Sequence, residues 1–224
     1  MTNYYKDKLS ALRLKKCYDI APPRIQKYLK AEIDHVLQKI TSKDVVLELG
    51  CGYGRLLSQI ATKATIVIGI DNVYSNLILA KKILKHSPNC LLLTMDAINL
   101  VFRSCMFDLV ICIQNGISAF QVDKLKLLSE SIRVTKEDGY VIFSSYSEKF
   151  WDDRLKWFQL QSKYGLIGEI DYNRTYNGTI ICKDGFTATT ITPEEFLPLT
   201  SNFHIDTTIV EIDNSSIFYE IKRK

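Results

Sequence analysis

Short runs of consecutive apolar residues alternate along this chain with segments whose apolar residues recur every three or four positions. The first kind reads as strands covered on both faces of a parallel sheet, the second as amphipathic helices packed on it. Residues 3–20 are polar and aromatic, with an imperfect helical stripe of Leu9, Leu12, Leu14 and Cys17, and Ala21-Pro22-Pro23 ends it. Residues 24–40 form a clear helix by spacing, through Ile25, Tyr28, Leu29, Ile33, Val36, Leu37 and Ile40, with the prolines at its start. Strands follow at 45–49, 65–71, 90–97, 107–114 and 140–146, with helices at 55–61, 73–85 and 124–134 and a turn at Lys136-Glu137-Asp138-Gly139. This alternation predicts an α/β, doubly wound and mostly parallel sheet.

After residue 146 the pattern changes. Residues 148–164 read as a helix carrying Phe150, Trp151, Leu155, Trp157, Phe158 and Leu160, and both tryptophans of the protein lie there. Residues 167–177 are polar and irregular. Residues 179–183 and 186–191 flank Asp184-Gly185, a hairpin signal. Thr192-Pro193-Glu194-Glu195 opens a short helix, with Thr as N-cap, Pro at the first helical position and Glu placed for a capping box. Residues 203–212 and 216–222 alternate as two strands joined around Asp213-Asn214-Ser215.

Chemistry concentrates at the ends of the first strands. Gly50-Cys51-Gly52-Tyr53-Gly54 joins the first strand to the next helix, allowing a tight turn and close approach of backbone N–H groups to a ligand. The spacing is G-x-G-x-G preceded by Glu48, not the G-x-G-x-x-G of dinucleotide-binding folds. Asp71 ends the second strand, at the sheet edge where open α/β folds bind ligands; a carboxylate there accepts both hydroxyls of a ribose, or merely caps the next helix. Asn72 follows it as a further candidate cap.

Glu48-Leu49-Gly50-Cys51-Gly52-Tyr53-Gly54 resembles motif I of the class I S-adenosylmethionine (SAM) dependent methyltransferases. The resemblance covers residues 40–145 motif by motif. It implies that Glu48, Gly50, Cys51, Gly52 and Gly54 belong to the loop at the methionine end of SAM. It places Asp71 and Asn72 at the ribose, Asp96 and Ala97 at the adenine, and Gln114 beside the cofactor. It implies a seven-stranded sheet with an antiparallel last strand, in one domain over residues 1–224. Residues 1–40 would form a helical cap over SAM, and 147–191, an insertion after the fifth strand, a substrate lid. Tyr4, Tyr5 and Tyr18 of the cap would touch ligand or simply pack the helices. Asp108, at the head of the fourth strand, reads as structural.

The fourth strand ends in Gln114-Asn115-Gly116, where methyl group and acceptor should meet. It lacks the Asn/Asp-Pro-Pro-Tyr/Phe of amide and exocyclic-amine methylases and the Pro-Cys of pyrimidine methylases, so Cys112 reads as core. Asn115 and Tyr146 are the catalytic candidates, with no general base identified; Tyr5, Asn115, Tyr146 and Trp151 are substrate-contact candidates. Glu169 and His204 are weaker candidates with plain structural readings.

Length fits one domain with a real core. The net charge of +4, with signs mixed along the chain, is mild; it permits an acidic substrate and does not argue for nucleic acid. The lysines Lys81, Lys82 and Lys85 with His86 read as a solvated helix face. No apolar run approaches the roughly 18 residues of a membrane span, and the N-terminus lacks a signal-peptide core. Six scattered cysteines, without C-x-x-C or nearby His, argue for a reducing cytoplasm and against a metal site. The expected activity is therefore methyl transfer from SAM to a small-molecule acceptor, yielding S-adenosylhomocysteine (SAH), the general class EC 2.1.1.-. An RNA or protein methyltransferase is the alternative. A nucleotide-binding oxidoreductase or a non-catalytic SAM-binding module is a third class. The sequence carries no signal for an oligomeric state.

Overall fold

The computed structural model describes residues 4–224, so Asn3, the expected start of the first helix, lies outside the described residues. Helices α1 (Tyr4–Asp7), α2 (Ala11–Asp19) and α3 (Pro23–Gln38) precede β1 (Val45–Leu49), α4 (Leu57–Ile60), β2 (Ile66–Asp71), α5 (Tyr74–Ile83) and β3 (Cys90–Thr94). Then come β4 (Phe107–Cys112), α6 (Gly116–Ala119), α7 (Lys124–Val134) and β5 (Thr135–Tyr146). A 3₁₀ turn (Glu148–Phe150) leads into α8 (Trp151–Lys163), the short hairpin β6 (Ile180–Ile181) and β7 (Thr187–Ala188), α9 (Pro193–Thr200), β8 (Ile205–Ile212) and β9 (Ser216–Arg223).

Seven strands form one sheet in the order β3-β2-β1-β4-β5-β9-β8. Pairs among β1 to β5 are parallel, and β9 runs antiparallel to both β5 and β8. This is the doubly wound sheet with a reversed last strand expected from the sequence. The apolar runs are buried on both faces: Leu47, Val110 and Phe143 belong to one core layer, Val46, Ile111 and Ile142 to the other. Asp108 accepts from Val45 N at 2.8 Å and from Lys136 Nζ at 2.8 Å, fastening β1, β4 and β5 at their starts.

Strands β3, β4, β6 and β7 are shorter than expected, and three further boundaries differ in ways that change the packing. The stretch 3–20 is two helices, because Ser10 is extended and Ala11 takes φ 48°, which brings Ala11 N to Asn76 Oδ1 at 2.6 Å and seats α2 on α5. The helix after the glycine turn is a single turn, since residues 51–56 are spent in turns before Leu57 and Ile60 reach the core. The Lys136–Gly139 turn is absorbed into β5 as a bulge: Thr135 pairs with Phe107, but the next pair is Tyr140 with Leu109. Asp138 turns the chain there at φ 60°.

A third apolar cluster lies above the sheet. Leu9, Cys17, Tyr28 and Leu29 of the N-terminal helices pack with Tyr146, Trp157, Phe158 and Phe186. The N-terminal helices and the segment after β5 are thus one body. Helix α9 starts with the capping box its sequence forecast: Thr192 Oγ1 accepts from Glu195 N, and Thr192 N donates to Glu195 Oε2 at 2.9 Å. Thr192→Ala is expected to cost about 1 kcal/mol, read as a lower urea-unfolding midpoint with an unchanged slope.

Candidate active site

The strand order reverses between β1 and β4, and a cleft opens there at the carboxyl ends of the strands, as the topology requires. Glu48, Gly50, Cys51 and Gly52 line it from β1 and its turn, Asp71 and Asn72 from β2, Asp96 and Ala97 from β3, and Gln114 from β4. Tyr5, Leu14 and Tyr18 close it from α1 and α2. With its open mouth it encloses about 1100 Å³, room for a nucleoside-sized ligand. Gly54 stands outside this wall. Its φ of 80° lets the turn pack on α5, where an added Cβ would lie 3.0 Å from Leu84 and 3.1 Å from Ala80.

Gly50 is where the turn needs its glycine most. It sits at φ 69°, and a Cβ there would meet the Phe120 ring at 2.4 Å. The turn is then tied to the second strand: Cys51 N donates to Ile70 O at 2.8 Å and Gly52 N to Asp71 Oδ2 at 2.9 Å. The other oxygen, Asp71 Oδ1, accepts from Val73 N at 2.7 Å and Asn76 Nδ2 at 3.2 Å. Asp71 therefore serves the start of α5 as well as lining the cleft. Burial pushes its carboxyl up, against the pull of these donors. Asn72 is exposed and does not cap α5; Val73 holds the N-cap position without a side-chain bond.

Polar atoms without protein partners collect in this cleft. Glu48 Oε2, Arg55 Nη2 and Gln114 Nε2 are buried and unpaired, and all three residues line it. Burial pushes the Glu48 carboxyl up to about 8, with Arg55 opposing and Asp71 adding to the rise. Leaving such atoms unpaired is costly, so their convergence marks a surface built for a polar ligand. The Arg55 guanidinium lies 4.8 Å from the Tyr18 ring centroid, linking the glycine turn to the cap.

Gln114 and Asn115 both adopt left-handed backbone, at φ 57° and 62°. Fully buried Glu32 of α3 holds this kink: its Oε2 accepts from Gln114 N at 2.8 Å and its Oε1 from Ser216 Oγ at 2.7 Å. Asn115 turns away from the large cleft. Its Nδ2 donates to Thr189 O at 2.8 Å, and its Oδ1 accepts from Ser145 Oγ at 3.0 Å. These bonds occupy the amide in fastening β4 and β5 to the segment after β7, so its candidacy as a catalytic group is replaced by a positioning one.

A second, smaller cavity, about 530 Å³ counted with the open space at its mouth, adjoins the first and shares Tyr5, Leu14, Tyr18, Gln114 and Ala119 with it. Tyr146, Trp157, Phe158 and Phe186 supply its far walls, and Asn115 and Gln161 its remaining amides. Tyr5 and Tyr146 thus reach a cavity as expected, whereas Trp151 lines neither. Trp151 begins α8 and lies beyond the cavity's end, with the inward place taken by Trp157, whose Nε1 donates to Cys17 O at 3.0 Å. Tyr4 packs edge-on against Phe186 and donates to Asp184 Oδ2 at 2.6 Å. Glu169 is exposed and paired with Lys183 at 2.7 Å, and His204 is exposed; neither lines a cavity. Lys81, Lys82, Lys85 and His86 are all exposed, as a solvated face should be. Sequence reasoning missed Glu32, Arg55 and Arg154. The last is an arginine inside an aromatic helix, at positions 154, 157, 158 and 161 of one buried stripe, and that spacing was its only signal.

Residues 46–139 match the model of a methyltransferase domain. The sheet around these residues has the strand order of the class I methyltransferase fold. Solved structures share this architecture at low identity. A Pyrococcus horikoshii OT3 protein is 20% identical, with all of both chains covered and a TM-score of 0.69. A SAM-dependent methyltransferase from Methanosarcina mazei is 18% identical over 84% of this chain and 96% of its own, at TM-score 0.61. The N-methyltransferase NodS from Bradyrhizobium japonicum WM9, in complex with SAH, is 11% identical over 99% of each chain, at TM-score 0.63. Among curated proteins, none matches by sequence. No helix among the described residues is long and apolar enough to cross a membrane.

Burial also sets a pH dependence. It pushes the Glu32 carboxyl up to about 7, against hydrogen bonds from Ser216, Ser144 and Gln114. A carboxyl whose value is raised on folding holds its proton more tightly in the native state, so stability falls as pH rises from the ordinary carboxylate range through about 7. The Glu32 share of this loss is up to about 3 kcal/mol. Glu32→Gln is expected to flatten the dependence of urea-unfolding free energy between pH 5 and 7.5; an unchanged slope would remove Glu32 as its source.

Proposed function

We propose that this methyltransferase transfers a methyl group from SAM to a small-molecule acceptor, giving SAH. The observation that carries the reading is the set of unpaired buried atoms on Glu48, Arg55 and Gln114, gathered beside the Asp71 carboxylate over a glycine turn. Their donor and acceptor types suit the amino-acid and ribose ends of SAM, whose hydrogen-bonding groups would satisfy them. Asp71 Oδ2, which accepts only from Gly52 N, keeps capacity for a ribose hydroxyl, Asp96 and Ala97 flank the adenine, and Glu48, Gly50, Cys51 and Gly52 hold the methionine end.

SAM, when bound, supplies a methyl group on a sulfonium, so a nucleophile in line with it needs only positioning and dry surroundings. The chain provides both. The Tyr18 ring packs edge-on against Tyr53 at 6.0 Å and Trp157 at 5.9 Å, drawing glycine turn, cap and insertion together over the cleft. The smaller cavity, beyond Gln114, is where the acceptor sits. Its aromatic walls between the N-terminal helices and residues 147–191 suit a compact molecule, and this favours a small acceptor over RNA or protein. In this reading residues 1–40 are the cap and 147–191 the lid of a single domain.

Thermal denaturation tests this with SAM, SAH and NAD in parallel, because a ligand that binds only the native state raises its melting temperature. SAM and SAH are expected to raise it, NAD to leave it unchanged, and Asp71→Ala to weaken SAH binding by about a hundredfold. A shift with NAD alone would return the glycine turn to the dinucleotide-binding class.

A further inference from the structure

Arg154 is 1% exposed, yet among the described residues no carboxylate pairs with it. Its Nη1 donates to Gly178 O at 2.7 Å and its Nη2 to Ala188 O at 2.9 Å, while Nε has no partner. Around it stand aromatic rings: the guanidinium carbon lies 4.4 Å from the Tyr146 centroid, 5.5 Å from Phe158 and 6.0 Å from Trp151. Tyr146, Phe158 and Ala188, three of these neighbours, line the smaller cavity. A buried cation without a counter-ion is costly, and neutral carbonyls and ring faces offset only part of that cost. An anion arriving beside it would feel little screening.

The same cavity offers no group to take a proton. No histidine, aspartate or glutamate lines it. The Cys17 thiol in its wall is pushed by burial up to about 12, and burial likewise raises the phenols of Tyr5, Tyr18 and Tyr146. The buried carboxyl of Glu32 lies outside this lining and is occupied by Gln114 N and Ser216 Oγ. An acceptor that must lose a proton has no base here; one that enters already ionised needs none.

We propose that the smaller cavity takes a compact aromatic or apolar acid as its carboxylate, with the charge of Arg154 selecting it, so that the product is a methyl ester. The assignment rests on the methyltransferase reading above and names its acceptor class. The carboxylate oxygen forms the new O–C bond, the methyl–sulfur bond breaks with its electron pair left on sulfur, and no proton moves. Two opposite charges are consumed together, which suits a site that excludes water. Arg154 acts here as a specificity-determining residue through its charge and through the phenols it faces.

The test is binding to the SAH-loaded protein by calorimetry, with benzoate, phenylacetate and cinnamate set against the amide and the amine of the same shapes. The carboxylates are expected to bind about tenfold or more tightly than the amides, and the amines least. Arg154→Gln should abolish the preference, while Arg154→Lys, which keeps the charge but cannot make both carbonyl bonds, should retain most of it. A purely structural arginine would instead make Lys and Gln alike in preference, differing from wild type only in melting temperature. Equal or tighter binding of amides or amines, a preference that survives in Arg154→Gln, or no binding of any probe while SAH still stabilises the protein would each overturn the assignment alone. Absence of SAH stabilisation would overturn the methyltransferase reading and this assignment with it. Ester formation from the bound acid is the product expected on adding SAM.

Discussion

The carboxylate of Asp71 is the point on which the site depends. One oxygen holds the glycine turn through Gly52 N, and the other holds the start of α5 through Val73 N and Asn76 Nδ2. Asn76 then accepts from Ala11 N with its own oxygen, so the same chain of bonds reaches the cap helix α2. Strand end, glycine turn, helix α5 and cap are thereby linked through two buried side chains. Charge-assisted bonds from backbone N–H groups are among the stronger ones in a protein, and here they act where solvent is excluded. The bonds that shape the cleft at Asp71 are thus also the bonds that keep the cap seated.

The second constraint is charge buried without full compensation. Glu48, Arg55 and Gln114 present unpaired atoms to the large cleft, and Arg154 does so beside the small one. Glu32, by contrast, is buried with its oxygens engaged, and it secures the left-handed Gln114–Asn115 kink from below. Unpaired buried groups lower the stability of the free protein, a cost that a ligand removes on binding.

Most of the fold was legible because its signals are local. Apolar runs such as 45–49 and 107–112 specify doubly covered strands, and three- and four-residue spacing specifies α3 and α7. The candidate residues that line the cleft were legible for the same reason, since Glu48 lies near the end of β1, Asp71 ends β2 and Asp96 follows β3. What could not be read depends on long-range partners. Glu32 meets Gln114 82 positions away, and Arg154 meets backbone carbonyls at 178 and 188 whose orientation only the folded insertion fixes. Trp151 and Trp157 share one aromatic helix in the sequence, and only the fold shows that the second lines the cavity. The break before Ala11 likewise exists because Asn76 offers an acceptor, which no pattern within residues 3–20 reveals.

A crystal structure of the protein with SAH most directly tests whether this cleft is the donor site. The ribose hydroxyls should lie within hydrogen-bond distance of Asp71, the adenine against Asp96 and Ala97, and the homocysteine end over Gly50 and Gly52 facing Glu48, Arg55 and Gln114. SAH bound elsewhere, or in this cleft with its ribose away from Asp71 and those three residues still unpaired, would contradict it.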